Sequence, residues 1–496
     1  MTGAAGASPI AGGSAWPSQT TPFIDGAFVA EPGADSLDVL DPGSGTSLAR
    51  VPETTDPTVD AAVAAARRAF DDGPWRRMPV FERGQVIARI AAAIDAQAES
   101  LARLEAVNAG KPIAAVRREI AGAARVFAYY AGAMDKVYGD TIPVSPTMLD
   151  FTLREPIGVV GQIVPWNFPL LAAAWKLGPA LAAGCSVVLK PAPQTPLTAL
   201  VLGEICAAAG VPPGVVNVLP GGTGTGQRLL ASEAVDAIAF TGSSAVGEAV
   251  MRAAAAGTRP VLLELGGKNP FILLADADVE AAAKAAVGAA FGNAGQSCSA
   301  RSMILVERPA LPAFTEAFLA AVRALRPGPV LDEATTLGPL IGSAHREQVR
   351  GAIARAADSG DRLLLEGGVP DLPGFYLEPS VLEANDRGSL LLREEIFGPV
   401  AAIMPFDRDE EALAIANATR YGLNATVWGR DLDRALRLVR DLRSGLVSVN
   451  GQPSASLHSV FAPFGGMKRS GVGRELGLQA FDFYTVTKNV TISLSR

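Results

Sequence analysis

Residues that announce catalysis or cross-linking are scarce in this chain. Its 496 residues hold only three cysteines and two histidines. That is too few for a disulfide framework or a Cys/His metal cluster, so no metal site is expected and a reducing, cytoplasmic compartment is the default. Long basic runs are also missing: the net charge is −7 and the charges are interspersed, which argues against nucleic acid and against an anionic membrane surface as partners. No stretch approaches the ~18 uncharged apolar residues that a membrane helix needs. The opening Met1–Ser8 has neither the basic nor the apolar region of a secretory leader. Residues 1–20, rich in Gly, Ala, Ser and Pro, are expected to be mobile.

What is present describes a folded chain: 49% hydrophobic residues against 19% charged, at a length that implies two or three domains. After a short hairpin over Phe23–Val29, helical spacing dominates to about residue 135. From Gly158 the pattern changes to short β-branched runs separated by Ala-rich helical segments. Val159–Val164, Ser186–Leu189, Val215–Val218, Ala237–Phe240 and Val261–Leu263 read as strands of a parallel sheet covered by helices. A second series follows with Phe271–Leu274, Met303–Val306, Ala401–Met404, Ala425–Trp428 and Leu446–Val449. The fold class is therefore α/β, with two open-sheet domains meeting near residues 264–270 and a ligand cleft between them. Two alternating segments, around Leu149–Leu153 and Tyr484–Leu494, fit neither domain. They read as half-buried strands whose free edge invites a second chain.

Chemistry concentrates in a few loops. Phe291–Ala300 places Cys298 among small polar residues, where a sulfur is reachable and backbone N–H groups can lower its pKa; taken alone, a loop cysteine still reads first as an ordinary, non-catalytic residue. Upstream, Glu264 sits between Leu263 and Leu265, and desolvation there should raise its pKa toward that of a base working near neutrality. Strand Ala237–Phe240 runs into Thr241-Gly242-Ser243 and a helix, a turn able to meet a pyrophosphate with free N–H groups. The denser Gly221–Gly226 run misses the dinucleotide fingerprint spacing and reads first as a flexible turn. Asn167, in Pro165-Trp-Asn-Phe-Pro169, is either an oxyanion donor or a turn cap. Lys190 ends a strand where open α/β sheets bind nucleotides.

Taken in order, Pro-Trp-Asn167-Phe-Pro, Lys190-Pro, Phe-Thr-Gly-Ser243, Glu264-Leu-Gly-Gly-Lys268, Gly-Gln-Ser-Cys298, Glu395-Ile-Phe-Gly-Pro399 and Pro463-Phe-Gly-Gly466 resemble the NAD(P)-dependent aldehyde dehydrogenase superfamily from about Phe23 to the C-terminus. The resemblance implies a Rossmann-like cofactor domain over residues 21–136 and 157–266 and a catalytic domain over 267–470. It also implies a β-hairpin oligomerisation element over 137–156 and 480–496, building a homo-oligomer, a dimer or a homotetramer. By the same resemblance Cys298 is the nucleophile, Glu264 the general base and Asn167 the oxyanion donor. Trp166, Lys190, Gly242, Ser243, Glu395 and Phe397 would contact the dinucleotide. The implied reaction takes an aldehyde through a Cys298 thiohemiacetal to a thioester, which Glu264-activated water hydrolyses to the carboxylic acid. Relatives that pass the acyl group to coenzyme A lack that glutamate, so the hydrolytic type is implied.

Two points stay open in the sequence. Pro193 stands where NAD-preferring relatives carry a glutamate for the adenine-ribose hydroxyl, so NAD is the first expectation and NADP is allowed. The aldehyde itself is unspecified. Phe168, Trp175, Ser297, Ser299 and Phe464 are the expected substrate contacts, an apolar funnel suited to aliphatic or aromatic aldehydes, with a betaine or amino-aldehyde as the alternative. An inactive binding protein of the same fold is the rival of a different class. Arg301, close to the nucleophile, is expected in a structural salt bridge, and no role is assigned to His458.

Overall fold

Parallel strands need apolar residues on both faces, because helices cover each side. Val159–Ile163, Ser186–Lys190, Val216–Val218, Ala237–Thr241 and Val261–Glu264 meet that requirement, and in the computed structural model they lie side by side in one sheet. Residues 16–451 and 460–494 are described; the first fifteen residues of the expected mobile segment and His458 lie outside them. Val159–Ile163 pairs with Ser186–Lys190 on one side and with Ala237–Thr241 on the other. The chain order therefore reverses at this strand, and a crevice opens beyond the carboxyl ends of the two neighbours. The sheet is closed at one edge by the hairpin Phe23–Ile24/Ala27–Phe28. At the other edge the short strand Gly471–Val472 runs antiparallel to Leu263 and Glu264.

A second sheet has seven strands in the order Arg362–Leu365, Ser380–Glu383, Val400–Phe406, Met303–Glu307, Pro270–Leu273, Asn424–Trp428 and Leu446–Val449. All neighbours are parallel except the first pair. The first two strands of this order escape the sequence reading, since Arg362–Leu365 is mostly exposed and only four residues long. One face is filled by a column of rings: Phe271 stacks on Trp428 and Phe314, Phe314 on Phe318, and Phe318 on Phe291. This column supports the helix Val279–Phe291 that leads directly to Cys298.

The helical expectation for residues up to 135 needs one correction. Ser36–Leu40 and Ser47–Pro52 form a separate antiparallel pair, whose alternating polar and apolar residues leave one side exposed. Four helices then follow: Asp56–Asp71, Val80–Ala96, Ala98–Ala109 and Ile113–Ala131. The two leftover segments pair with each other. Thr485–Ser493 runs antiparallel to Met148–Pro156 over nine residue pairs, and Thr141–Ser145 adds a third strand. This small sheet exposes Ile142, Val144, Met148, Leu149, Leu153, Val486 and Ile492. Among the described residues no helix is long and apolar enough to cross a membrane.

Phe314 is fully buried between two stacked neighbours. Phe314→Ala should therefore cost about 3–5 kcal/mol of stability, read as a lowered denaturant midpoint, with a smaller loss in Phe314→Leu.

Candidate active site

The strand ends and the loops that follow them enclose a cavity of about 740 Å³. Trp166, Asn167, Phe168, Trp175, Gly242, Ser243, Glu264, Ser297, Cys298, Ser299, Glu395, Phe397 and Phe464 all line it. Lys190 and Pro193 line a second cavity of about 1190 Å³. The turn after Thr241 joins the two, since Gly242 and Ser243 face the first and Ala245 and Val246 the second. Every candidate residue is thus gathered in two neighbouring spaces.

Cys298 reaches the cavity because the helix Val279–Phe291 cannot continue. Asn293 and Ala294 take left-handed backbone angles, with φ of 54° and 53°, and Gly295 follows at 72°. A Cβ on Gly295 would lie 2.0 Å from the carbonyl oxygen of Gly398, so only glycine fits. The turn is then tied down from the far side by Asn269, whose Nδ2 donates to the carbonyls of Cys298 at 2.7 Å and Ala300 at 3.0 Å. Arg301 forms no salt bridge among the described residues, contrary to expectation. Its Nε donates to Thr426 Oγ1 at 3.1 Å and its Nη2 to Asn424 Oδ1 at 3.0 Å, because the adjacent strand offers hydroxyl and amide oxygens but no carboxylate. Burial pushes this guanidinium down to about 10.

Asn167 is nearly buried and held from two directions. Its carbonyl accepts from Lys111 Nζ at 2.7 Å and from Asn293 Nδ2 at 3.2 Å, while its own amide donates to the Gln296 carbonyl at 3.1 Å. Lys111 is itself buried, paired with Glu119 at 2.6 Å and seated 3.7 Å over the Phe168 ring. Glu105 holds the next turn by accepting from the Leu170 N–H at 2.9 Å and from Thr198 Oγ1 at 2.8 Å. Two buried ionic groups thereby fix the backbone of the Trp166–Phe168 loop.

Glu264 ends its strand at the crevice. Burial pushes its carboxyl up to about 8, reinforced by the charge of Glu475 and opposed by Lys176 and by a hydrogen bond with Cys298. Its Oε1 has no hydrogen-bond partner among the described residues. The Cys298 thiol is also pushed well up, first by burial and then by the charges of Glu264 and Glu395. The expectation that backbone N–H groups lower this thiol is not met, because burial first and the neighbouring carboxylates second push it the other way. Thiol and carboxyl thus face each other, each held toward its protonated form.

The cofactor-side residues also meet. Glu395 accepts from the Gly267 N–H at 3.1 Å, and burial raises it to about 7. Trp166 meets Phe397 edge-on at 5.4 Å between ring centroids, and His345 places Nε2 2.8 Å from the Phe397 carbonyl. Phe397 is a non-glycine residue at φ 59°, a strained conformation that these two neighbours hold. Lys190 donates to the carbonyls of Pro191 at 3.1 Å and Gly221 at 2.7 Å with no carboxylate bound to it, and burial lowers it to about 8. A buried ammonium with no carboxylate in hydrogen-bond reach among the described residues and only the charge of Glu53 nearby, beside an open cavity and the exposed helix start at Ser243, fits a dinucleotide with its ribose hydroxyls and phosphates. The glycine run at 221–226 is no flexible turn. It opens the helix Thr223–Ala231, whose first N–H groups are capped by Glu53, 2.6 Å from the Gly222 nitrogen.

Comparison with known proteins agrees with this geometry. Residues 28–490 match the aldehyde dehydrogenase family. The chain belongs to that family. It is 40% identical over 474 residues to a putative aldehyde dehydrogenase, DhaS, of Bacillus subtilis, covering 95% of each chain. It is also 41% identical to the NADP/NAD-dependent aldehyde dehydrogenase PuuC of Escherichia coli, again covering 95% of each. Among solved structures, the NAD+ complex of an aldehyde dehydrogenase from Bacillus cereus superposes with a TM-score of 0.93 at 39% identity, over 96% of this chain and 97% of that one. The protein is therefore an NAD(P)-dependent oxidoreductase acting on aldehydes.

Several site residues escaped the sequence reading. Lys176 and Glu475, a fully buried ion pair, sit beside Glu264. A visible signal existed for the first: one lysine interrupts the otherwise apolar helix Pro169–Ala183. His345 and Lys111 carried no local signal, since both look like ordinary surface residues until the chain folds.

The raised carboxyl makes a spectroscopic prediction. Difference infrared spectra taken from neutral to alkaline pH should show a protonated carboxyl disappearing with a midpoint near 8. That component should be missing from Glu264→Gln.

Proposed function

We propose that Cys298 is the nucleophile, that Glu264 is the base that activates water, and that the side-chain amide of Asn167 with the Cys298 backbone N–H holds the oxyanion. The observation that carries this reading is the meeting of the Cys298 thiol and the Glu264 carboxyl in one cavity, with Glu264 Oε1 left without a hydrogen-bond partner among the described residues. In this reading the Cys298 thiolate adds to the aldehyde carbon, and Asn167, locked through Lys111 and Asn293, meets the developing negative charge without rearrangement. NAD(P)+, when bound, supplies the hydride acceptor. Trp166, Gly242, Ser243, Glu395 and Phe397 would hold its nicotinamide half and Lys190 its adenosine half. Glu264, as carboxylate, then takes a proton from water, which attacks the Cys298 thioester and releases the carboxylic acid. Phe168, Trp175 and Phe464 form the apolar wall for the substrate chain, with Trp175 and Phe464 in edge contact at 5.0 Å, and Ser297 and Ser299 flank the sulfur.

We assign the cofactor-binding role to residues 21–136 and 157–266, the catalytic role to 267–470, and subunit association to 137–156 and 480–496. The exposed apolar residues of the three-stranded sheet support association into a dimer or tetramer. A cytoplasmic location fits the reduced, unpaired state of all three cysteines.

Glu264→Gln should keep a rapid first-turnover burst of NAD(P)H and lose steady-state turnover by about 10²-fold or more; unchanged steady-state turnover would remove Glu264 from the role of base. A separate prediction concerns the cofactor. Pro193→Glu should raise KM for NADP about tenfold while leaving KM for NAD within a few fold, because it puts a carboxylate beside Lys190 where a 2′-phosphate would lie.

A further inference from the structure

His345 takes no part in the chemistry above. It stands half-exposed in the first turn of the helix Ser343–Asp358 and lines the same cavity as Cys298, Trp166 and Phe397. Its Nε2 lies 2.8 Å from the Phe397 carbonyl oxygen. A carbonyl only accepts, so the imidazole carries a proton on Nε2 and donates it. The ring also meets Trp166 edge-on at 5.8 Å and Phe397 at 6.3 Å between centroids, while Trp166 and Phe397 meet at 5.4 Å. The rings close a triangle, and one side of it carries a hydrogen bond.

Phe397 needs such a hold because the chain on either side of it is pinned. Two residues earlier, Glu395 accepts from the Gly267 N–H at 3.1 Å. Its carboxylate sits so close over Gly266 that a Cβ there would run into it. One residue later, the Gly398 carbonyl accepts from the Val400 N–H at 2.7 Å, and a Cβ on Gly398 would run into the buried Val349. Between these fixed points the backbone turns within Phe397 at φ 59°, a region that a bulky residue rarely occupies. The Phe397 carbonyl lies between the two anchors, and the His345 imidazole is the donor that reaches it.

We propose that His345 is a positioning residue for cofactor binding: its N–H fixes the Phe397 peptide so that the Phe397 ring stays against Trp166, in the wall that the nicotinamide half of NAD(P)+ packs on. This rests on the reading of Phe397 as a cofactor contact. Without the donor, Phe397 relaxes toward a more populated backbone region and its ring leaves Trp166. Binding must then restore the strained form out of its own free energy, which weakens it. The sulfur is insulated from this change. The Gly398 carbonyl packs on Gly295 of the turn that delivers Cys298, and its own bond to Val400 keeps that contact in place.

The test separates the hydrogen bond from the ring. His345→Phe keeps a ring and loses the donor, whereas His345→Gln keeps an N–H donor of similar reach and loses the ring. In His345→Phe, Kd for NAD+ measured by calorimetry without aldehyde should rise about tenfold, the worth of one hydrogen bond holding a strained residue. KM for NAD+ should follow it. KM for the aldehyde at saturating NAD+, and cofactor-free hydrolysis of para-nitrophenyl acetate by the Cys298 thiol, should not change. His345→Gln should bind NAD+ as the wild type does. An unaltered Kd in His345→Phe, an equal loss in both variants, or a parallel loss of ester hydrolysis overturns the proposal. Phe397→Ala checks the reading beneath it. If that variant binds NAD+ like the wild type, Phe397 is no cofactor contact and both readings fall; if its Kd rises while that of His345→Phe does not, only the role of His345 falls.

Discussion

Removal of water from the Glu264 carboxyl is the constraint on which the rest of this site depends. The residue ends a strand whose other members are apolar, and its neighbours across the sheet are the backbone of Thr241 on one side and of Gly471 on the other. Nothing there solvates a full negative charge. A carboxyl in such a place is held toward its neutral form, which suits the role of base near neutral pH proposed for it. Lys176 and Glu475 set the balance: the lysine draws the carboxyl down and the glutamate, almost buried itself, pushes it up. Each of these charges lies on a different segment of chain, so the basicity of one side chain depends on the closure of the whole domain.

The same economy governs the loops. Cys298 and Asn167 stand on irregular backbone, yet neither loop is loose. Asn269 anchors the first through two carbonyls, and Lys111 and Glu105 anchor the second through one carbonyl and one N–H. Buried ionic groups in these positions do little for stability by themselves, since their desolvation offsets most of their attraction. Their effect here is geometric: they give the Cys298 and Asn167 loops a fixed address.

How much of this was readable in the sequence follows from which interactions are local. Strands of the two parallel sheets were legible because burial on both faces writes itself as a run of Val, Ile, Leu and Ala. Cys298, Glu264, Asn167 and the Ser243 turn stood out as candidates through the ordered motifs that contain them, each having an ordinary reading alone, and the fold gathers all four around one cavity. The pair Ser36–Leu40/Ser47–Pro52 was not, as its apolar positions are few and half exposed. Lys111, Glu105 and His345 were not, because their partners lie far along the chain. Arg301 was misjudged for the same reason. Its surroundings are set by Asn424 and Thr426 of a neighbouring strand, and sequence proximity to Cys298 says nothing of them.

Glu53 gives the glycine run after Val218 an unexpected meaning. Its carboxylate accepts from the Gly222 N–H and from the Thr225 hydroxyl, so the positive end of the helix Thr223–Ala231 already has an internal counter-ion. A phosphate arriving there would meet like charge, at a cost on the order of 4 kcal/mol for unit charges about 4 Å apart near a protein surface. The chain thus carries two helix starts facing the nucleotide side and has blocked one of them with its own anion. The helix that begins after Ser243 is capped by a neutral hydroxyl and has no acidic residue in its first turn, so of the two starts it is the one that would meet a phosphate without like charge, although the other is richer in glycine.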